Sequence, residues 1–314
     1  MGFSPQAEKY SGEIREVVIG AGDAAVTVGG SKVLPFHGFE GEAGQRPIVA
    51  MEVLDVTPEE WPEALTSALG DVMGDPVAWA KKCETEFGAE AVCLSLLGTD
   101  PNAENRSAEE ASQTAKAVSE AIGVPLVVYG SGNVEKDAEV LPAVAEALSG
   151  ANLVLGPVQE ENYKTIAASA MGYKDVVAGE TPIDVNMAKQ LNILMTNLGM
   201  PEDKILVDPS TGALGYGLDY TYSVMERDRL SALLQGDKVL QMPLINNMAK
   251  EVWKSKEAKV SAEEEPAWGD EAERGVLWEV LTGVSLLMAG ADILIVRHPR
   301  SAETLRKTIE ALAG

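Results

Sequence analysis

The stretch Lys204-Ile-Leu-Val-Asp-Pro-Ser-Thr-Gly-Ala-Leu-Gly-Tyr-Gly217 decides the fold, because it joins a strand pattern to a helix pattern through a turn. Residues 205–207 form a short apolar run of the kind found in buried parallel strands. Pro209 has no N–H for a strand ladder, so the strand must end there. The glycines that follow let backbone amides approach a ligand closely. The stretch therefore predicts a strand, a ligand-facing loop and a helix; a tight connection without a ligand is the alternative.

Seven other apolar runs share this strand character. The eight runs together are 47–54, 91–97, 125–129, 152–156, 175–178, 204–207, 238–242 and 292–296. Helical patterns lie between them, with start signals such as Asp75-Pro76 and the capping box Ser107-x-x-Glu110. Most runs begin far enough apart for a strand–helix–strand unit, which takes about 30 residues. Eight consecutive units predict an α/β fold, a (β/α)₈ TIM barrel, with a doubly wound sheet as the alternative.

Two further strand patterns, 13–19 and 24–29, precede the first unit and flank Gly20-Ala-Gly-Asp23. Two such runs around a glycine turn predict a β-hairpin. The Gly-x-Gly here is not a dinucleotide-binding signature, because a strand follows it and not a helix. We expect residues 1–314 to form a single domain, in which the N-terminal hairpin within 1–30 caps the bottom of the barrel.

The composition restricts the partners and the location. The chain has 314 residues, of which 46% are hydrophobic and 24% charged, which is typical of a globular protein. Its net charge is −24, which repels nucleic acid and anionic membranes, so we expect neither as a partner. No apolar run approaches the ~20 residues of a membrane-spanning helix, and the N-terminus lacks a signal-peptide layout. These features predict a cytoplasmic protein.

The sequence offers little catalytic or metal chemistry of its own. Cys83 and Cys93 are the only cysteines, whereas an iron–sulfur cluster normally takes four. The two histidines do not have zinc-ligand spacing. His298, in Arg-His-Pro-Arg, is a weak candidate for a general base, and we favour a structural or anion-binding role for it. We therefore predict no metal site and no catalytic residue.

In a barrel, the carboxyl ends of all strands share one face, and that face carries the site. The polar residues that follow the predicted strands are Asp55, Thr99, Asp100, Ser131, Asn133, Gln159, Glu180, the segment 208–217, Asn246, Asn247, Arg297 and His298. The set is rich in hydroxyls, amides and glycines, but no acid–base pair is evident from the sequence. Such a ring predicts a surface that holds a large polar ligand.

Several of these turns resemble one family. The segments Thr99-Asp-Pro101, Tyr129-Gly-Ser-Gly-Asn133, Asp208–Gly217 and Gln241-Met-Pro-Leu-Ile-Asn-Asn247 are similar to the small subunit of the corrinoid iron–sulfur protein. That subunit is the delta subunit of the CO dehydrogenase/acetyl-CoA synthase system. The resemblance implies a heterodimer whose large subunit carries a [4Fe-4S] cluster and a corrinoid-binding domain. The barrel mouth of the small subunit would cover the corrinoid, a cobamide, at the interface.

The resemblance also implies a function and a set of partners. The pair would carry a methyl group from methyltetrahydrofolate, through its methyltransferase, to acetyl-CoA synthase in the reductive acetyl-CoA pathway. This chain lacks Asp-x-His-x-x-Gly, by which many corrinoid proteins supply a histidine to cobalt. The expected corrinoid-binding residues of this chain are Thr99, Ser131, Asp208, Ser210, Thr211, Gly212, Tyr216, Gly217 and Asn246.

Two other functions remain open at this stage. The first is a pterin-binding methyltransferase that acts directly on methyltetrahydrofolate, because that enzyme class shares the barrel. Its pterin would bind to Asp55, Asp100, Asn133, Asp208 and Asn246. The second is a docking scaffold without a ligand. The long charged segment 246–268 is a candidate surface for partner docking, or a merely solvated face.

Overall fold

The computed structural model describes residues 7–313. Two strands, β1 and β2, precede eight others, β3 to β10, which alternate with helices. The strands are β1 (Glu16–Ile19), β2 (Val26–Gly29), β3 (Ile48–Leu54), β4 (Ala91–Ser95), β5 (Leu126–Tyr129), β6 (Val154–Val158), β7 (Val176–Glu180), β8 (Ile205–Asp208), β9 (Leu244–Asn247) and β10 (Ala291–Val296). The helices are α1 (Glu63–Leu69), α2 (Pro76–Thr85), α3 (Ala108–Ala121), α4 (Val134–Ala147), α5 (Tyr163–Tyr173), α6 (Val185–Leu198), α7 (Leu218–Leu233), α8 (Ala249–Val252), α9 (Lys256–Lys259), α10 (Glu271–Ala289) and α11 (Pro299–Ala313).

Strands β3 to β10 close into a parallel barrel, in which each strand pairs with its neighbours in sequence and β10 pairs with β3. This arrangement confirms the predicted TIM barrel with an N-terminal hairpin. The start signals read from the sequence also hold. Asp75 accepts from the amides of Val77 and Ala78 at the start of α2, and Ser107 and Glu110 form the capping box of α3.

One strand prediction is wrong. Residues 238–242 do not form the seventh barrel strand; 238–240 form a 3₁₀ turn, and the strand is β9, which begins at Leu244. The turn forms because the side chain of Asp237 accepts a hydrogen bond from the amide of Val239. Pro243 has no N–H to donate, but its carbonyl accepts from the amide of Val207 at 2.9 Å. Pairing with β8 therefore begins at Pro243.

The N-terminal hairpin lies against the amino ends of the barrel strands. Its strands pair antiparallel, with Val17 opposite Val28. Val17, Ile19 and Val28 are fully buried in one cluster with interior barrel residues such as Ile48. At the start of β6, the side-chain amide of Asn152 donates to the carbonyls of Val18 and Gly20, at 2.8 and 2.9 Å. Apolar burial and hydrogen bonds together fix the hairpin at this end.

The barrel interior changes character along its length. Side chains of a strand point alternately inward and outward, so residues two apart face the same way. Ile48 and Ala50 of β3 and Ile293 and Ile295 of β10 face the apolar interior. Two residues further on, the same faces carry Glu52 on β3 and Arg297 after β10. The carboxyl end of the interior is therefore polar, and the candidate site lies at this end.

Within residues 7–313, no helix combines the length and apolar character needed to cross a membrane.

Candidate functional site

The inward-facing polar side chains at the carboxyl end of the barrel interior form the floor of the barrel mouth. A buried ion pair, Glu52 and Arg297, forms one side of this floor. Glu52 is 2% exposed; it accepts from the hydroxyl of Ser95 at 2.8 Å and from Nε of Arg297. The guanidinium of Arg297 also lies over the ring of Trp61, 4.6 Å from its centroid. Stacking and a charge-assisted hydrogen bond hold the pair in one geometry. This side of the floor is therefore rigid and electrically neutral.

A buried acid with a raised pKa forms the other side. Asp208, the last residue of β8, is 3% exposed and accepts from the hydroxyl of Tyr129 at 2.8 Å and the amide of Ser210 at 3.0 Å. Burial, together with the charge of Glu180, raises the pKa of Asp208 to about 8. Burial also raises the pKa of Tyr129 well above its usual range. At neutral pH this side of the floor therefore carries a mostly protonated acid.

The loop 208–217 closes tightly on itself above this floor. Ser210 adopts a left-handed backbone, φ 54°, which is rare outside glycine, and its hydroxyl donates to the carbonyl of Thr181 at 2.7 Å. Thr221 accepts from the amide of Gly212 at 2.9 Å and donates to the carbonyl of Ser210 at 3.2 Å. A Cβ on Gly212 would lie 2.6 Å from the carbonyl carbon of Gly217, so only glycine fits there.

The outer edge of the loop is tied to the segment 246–268. Tyr216 is 49% exposed; its hydroxyl donates to Glu257 at 2.9 Å and accepts from the amide of Lys256 at 3.2 Å. Trp278 of α10 donates from its indole to the carbonyl of Leu214 at 3.0 Å. Gly217 caps α7 with a left-handed backbone, φ 94°. The loop is thus anchored at both ends and presents Tyr216 at its rim.

Three predicted site residues form hydrogen bonds within the chain. Thr99 is fully buried, and its hydroxyl donates to the carbonyl of Leu96 at 2.7 Å. Asn246 is also fully buried; its amide donates to the hydroxyl of Thr211 at 3.1 Å, and its side-chain oxygen has no partner among the described residues. The hydroxyl of Ser131 bonds to the carboxylate of Asp137 at 3.2 Å. Thr99 and Asn246 support the mouth from behind, whereas Ser131 is half-buried at its edge. As ligand contacts, the three stay predictions.

Two inward-facing residues of the floor, Glu52 and Tyr129, were not expected at the site from the sequence. Glu180, Asn247 and Arg297 were expected at the strand ends, but not as ligand contacts. Glu52 carried a usable signal, because an acid stands in the middle of an otherwise apolar strand, 47–54. Asn247 was not singled out because the strand was placed too early. Ile245 faces the interior, so Asn247 does too, and Asn246 faces the helices, where Met225 lies near its amide. The side-chain oxygen of Asn247 is buried without a hydrogen-bond partner.

The contacts of His298 indicate a structural role. It is 3% exposed, stacks on Trp253 with ring centroids 5.9 Å apart, and accepts from the amide of Arg300 at 3.1 Å. Burial lowers its pKa to about 4, so it is neutral at physiological pH. The buried Glu279 accepts from the amides of Arg297 and His298, at 2.7 and 3.1 Å. This corner therefore orders the start of α11.

Neither cysteine is placed for chemistry. Cys83 and Cys93 are both buried and free, and burial raises the pKa of each thiol. Among residues 7–313, no group of three or more His, Cys, Asp or Glu side chains is arranged to hold a metal ion.

Residues 16–309 match the family model for the CO dehydrogenase/acetyl-CoA synthase delta subunit. The chain belongs to this delta-subunit family.

Curated relatives agree with the family model. The acetyl-CoA decarbonylase/synthase complex subunit delta of Archaeoglobus fulgidus is 38% identical, over 99% of this chain and 71% of that protein. The subunits delta of Methanocaldococcus jannaschii and Methanothermobacter thermautotrophicus are 34% and 37% identical, each over 97% of this chain. They are covered over 75% and 77% of their own lengths. The similarity to these delta subunits thus spans nearly the whole chain.

Solved structures share the fold. Dihydropteroate synthase of Xanthomonas albilineans, solved with 4-aminobenzoic acid, superposes with a TM-score of 0.62 over 96% of this chain and 99% of that one. The sequence identity is 16%. Dihydropteroate synthase of Yersinia pestis, solved with a pterine–sulfa conjugate, gives a TM-score of 0.56 at 17% identity. These similarities concern the barrel alone.

Proposed function

We propose that this delta-family chain is the small subunit of a heterodimeric corrinoid iron–sulfur protein, which works within an acetyl-CoA decarbonylase/synthase complex. The names of its relatives place them in that complex. With only two cysteines, both buried, this chain is poorly suited to hold a [4Fe-4S] cluster. The cluster would belong to the large subunit, and the corrinoid would lie between the two chains.

The hydrogen-bonding groups at the mouth are of the kind that a corrinoid would need, and this match is the main support for the proposal. A corrinoid bears amide side chains around its ring, and these need hydrogen-bond donors and acceptors. The glycine-rich loop 208–217 offers the half-buried Ser210, the half-exposed Tyr216 and backbone groups unshielded by side chains. Asn247 adds a buried oxygen without a partner. Ser210, Tyr216, Gly217 and Asn247 would hold the periphery, with Thr211 and Gly212 shaping the loop.

The bound corrinoid would supply the cobalt that carries the methyl group, so the chemistry would need no side-chain nucleophile. The residues of this chain would provide the surroundings. The Glu52–Arg297 pair is neutral overall, and the raised pKa of Asp208 keeps that acid mostly protonated at neutral pH. Low net charge at these two sides limits the water held beside them, and excluding water protects a reactive centre from protons.

The chain would have three protein partners. They would be the large subunit of the corrinoid iron–sulfur protein, the methyltetrahydrofolate:corrinoid methyltransferase and the CO dehydrogenase/acetyl-CoA synthase itself. The segment 246–268, linked to the mouth through Tyr216, is our candidate docking surface. A cytoplasmic location remains part of the proposal.

The pterin-binding alternative finds less support in the geometry. The carboxylate of Asp55 is buried; it accepts from the amide of Gly98 at 2.9 Å and lies near Arg106. Asn246 faces the helix layer, away from the barrel interior. Two of the five side chains expected to bind a pterin are thus engaged elsewhere.

A calorimetric titration separates the two functions. The purified chain alone is titrated with methyltetrahydrofolate, and the chain co-expressed with its cluster-bearing partner is tested for bound corrinoid by its visible spectrum. We expect no heat of binding in the first experiment and retained corrinoid in the second. A micromolar dissociation constant for methyltetrahydrofolate, with no corrinoid in the pair, would instead identify a pterin-binding enzyme.

A further inference from the structure

An acidic pocket of about 250 Å³ opens beside the loop 208–217, between the ends of β6, β7 and β8 and the start of α6. Three carboxylates line it, those of Glu160, Glu161 and Glu180, and its lining within residues 7–313 includes no lysine or arginine. Glu180 accepts from the side-chain amide of Gln159 at 3.2 Å. Its carboxylate also lies 3.3 Å from the hydroxyl of Ser210, which donates to the carbonyl of Thr181 at 2.7 Å. These neutral groups leave the charge of Glu180 uncompensated, so the pocket attracts a cation.

A second feature of the pocket points to a ligand with hydrogen-bonding groups. Thr181 lines the pocket and is only 6% exposed, yet its hydroxyl has no hydrogen-bond partner among the described residues. A buried hydroxyl without a partner destabilises the fold, and a bound donor that paired with it would remove that cost. The unpaired hydroxyl thus belongs to a residue of the pocket wall and is a hydrogen-bond acceptor there, in addition to the acids.

The same pocket has an apolar wall. Leu191 is 2% exposed and Met187 is 40% exposed, and both line the pocket together with its polar groups. Long basic side chains bury their methylene stems on such surfaces while the charged head reaches polar groups. An acidic end and an apolar wall therefore suit an ion with a hydrocarbon stem better than a bare metal ion.

We propose that this pocket binds a guanidinium or ammonium group on an apolar stem, and that in the assembled protein the group is an arginine or lysine side chain of the partner subunit. The identity of the partner rests on the proposed function; the cation-binding pocket does not. Charge favours this occupant, since a chain of net charge −24 attracts basic surfaces. The pocket also adjoins Ser210, where the partner would meet the mouth.

Occupancy of the pocket would affect the mouth floor. Glu180 pairs with Asp208 across β7 and β8, and its charge helps to raise the pKa of Asp208. The other titratable groups near Asp208 are Tyr129 on β5 and Cys93 on β4. A cation beside Glu180 would offset its charge and lower the pKa of Asp208. Partner docking and the protonation of the floor are thus linked.

The first test uses the isolated full chain and n-butylguanidinium as the probe, followed by NMR at low ionic strength. We expect a dissociation constant of about 1 mM for so small a ligand. The double variant Glu161→Gln/Glu180→Gln should weaken binding at least ten-fold. The control, Glu120→Gln/Glu146→Gln, removes two exposed acids from α3 and α4 with the same change in net charge. Equal binding of n-butylguanidinium by both variants, or no binding by the native chain, would contradict the proposal that the pocket binds a cation.

A second variant separates binding from folding. Thr181→Val keeps the shape and removes the unpaired hydroxyl, so the melting temperature should hold or rise. Binding of n-butylguanidinium should nevertheless weaken several-fold, because one acceptor is lost. A higher melting temperature with unchanged binding would mean that the hydroxyl is irrelevant to the ligand, and would contradict its assigned role.

The claim that a side chain of the partner subunit occupies the pocket is tested on the complex. Surface plasmon resonance of the chain with its co-purifying large subunit should show affinity about thirty-fold lower for Glu161→Gln/Glu180→Gln, and unchanged affinity for the control variant. Unchanged affinity for both, with n-butylguanidinium still bound by the native chain, would assign the pocket to a free cation such as a polyamine and refute the partner side chain. Corrinoid content, measured in parallel, tests the proposed function separately.

Discussion

The two ends of the barrel interior differ, although the same eight strands build both. At the amino end, Val17, Ile19 and Val28 of the hairpin pack with Ile48 in an apolar cluster. At the carboxyl end, the strand faces carry Glu52, Asp208 and Arg297, which are buried and hydrogen-bonded. The apolar end gains stability from burial alone, whereas the polar end must satisfy each group it buries. In this barrel, stability and binding therefore concentrate at opposite ends.

The largest expected effect is at the polar end. Arg297→Met would leave the carboxylate of Glu52 buried without its cation, and the free energy of unfolding should fall by about 3–5 kcal/mol. The matched control is Arg300→Met, which breaks an exposed pair with Glu273 and should cost less than ~1 kcal/mol. Urea denaturation of the two variants measures both. Similar losses would show that the polar floor is no more critical than the surface.

A substitution at the apolar end should lower the free energy of unfolding slightly less, and it should leave the bound corrinoid unchanged. Ile19→Ala removes a fully buried side chain, so the free energy of unfolding should fall by about 2–4 kcal/mol. Its neighbour Val18 is 43% exposed, and Val18→Ala should change stability by less than ~0.5 kcal/mol. Denaturation curves test this difference. A loss of bound corrinoid in folded Ile19→Ala would contradict the claim that stability and binding concentrate at opposite ends.

Asp208 should make the stability of the polar end depend on pH. Its pKa is raised to about 8 in the folded chain, from the ordinary value of 3.8. The folded state therefore holds a proton that the unfolded state has lost, and stability falls as pH rises between these values. The contribution is at most about 1.4 kcal/mol per pH unit. Asp208→Asn should flatten the curve of unfolding free energy against pH from 5 to 8; an unchanged slope would contradict the assignment.

The smallest effect concerns the rim of the mouth. Tyr216→Phe removes the exposed hydrogen bonds to Glu257 and Lys256, so stability should change by less than ~0.5 kcal/mol. Hydrogen exchange of the segment 246–268 should nevertheless become faster, because its link to the loop 208–217 is lost. Tyr220 is 66% exposed, and Tyr220→Phe serves as the control. Equal exchange in both variants would show that the rim is held by other contacts.

Local pattern predicted most of the fold and less of the site. The eight units and the caps at Asp75 and Ser107 could be read because period and capping are properties of neighbouring residues. The Glu52–Arg297 pair could not, because 245 residues separate its partners and only barrel closure brings them together. Asn246 and Asn247 show the same limit: placing one strand too early hid which of them faces inward. Contacts between strands determine which side chains form the floor, and these contacts cannot be read from the residue types alone.

The central claim is that the carboxyl end of the barrel meets a corrinoid carried by a second polypeptide. The most direct test measures corrinoid content, from the visible spectrum, after co-purification of two variants with the large subunit. Ser210→Trp fills the mouth beside the loop 208–217, whereas Ser149→Trp places the same bulk on an exposed residue after α4, at the amino end. With melting temperatures checked for both, the account predicts that Ser210→Trp loses most of its corrinoid and Ser149→Trp keeps it. Full corrinoid content in Ser210→Trp would contradict the account.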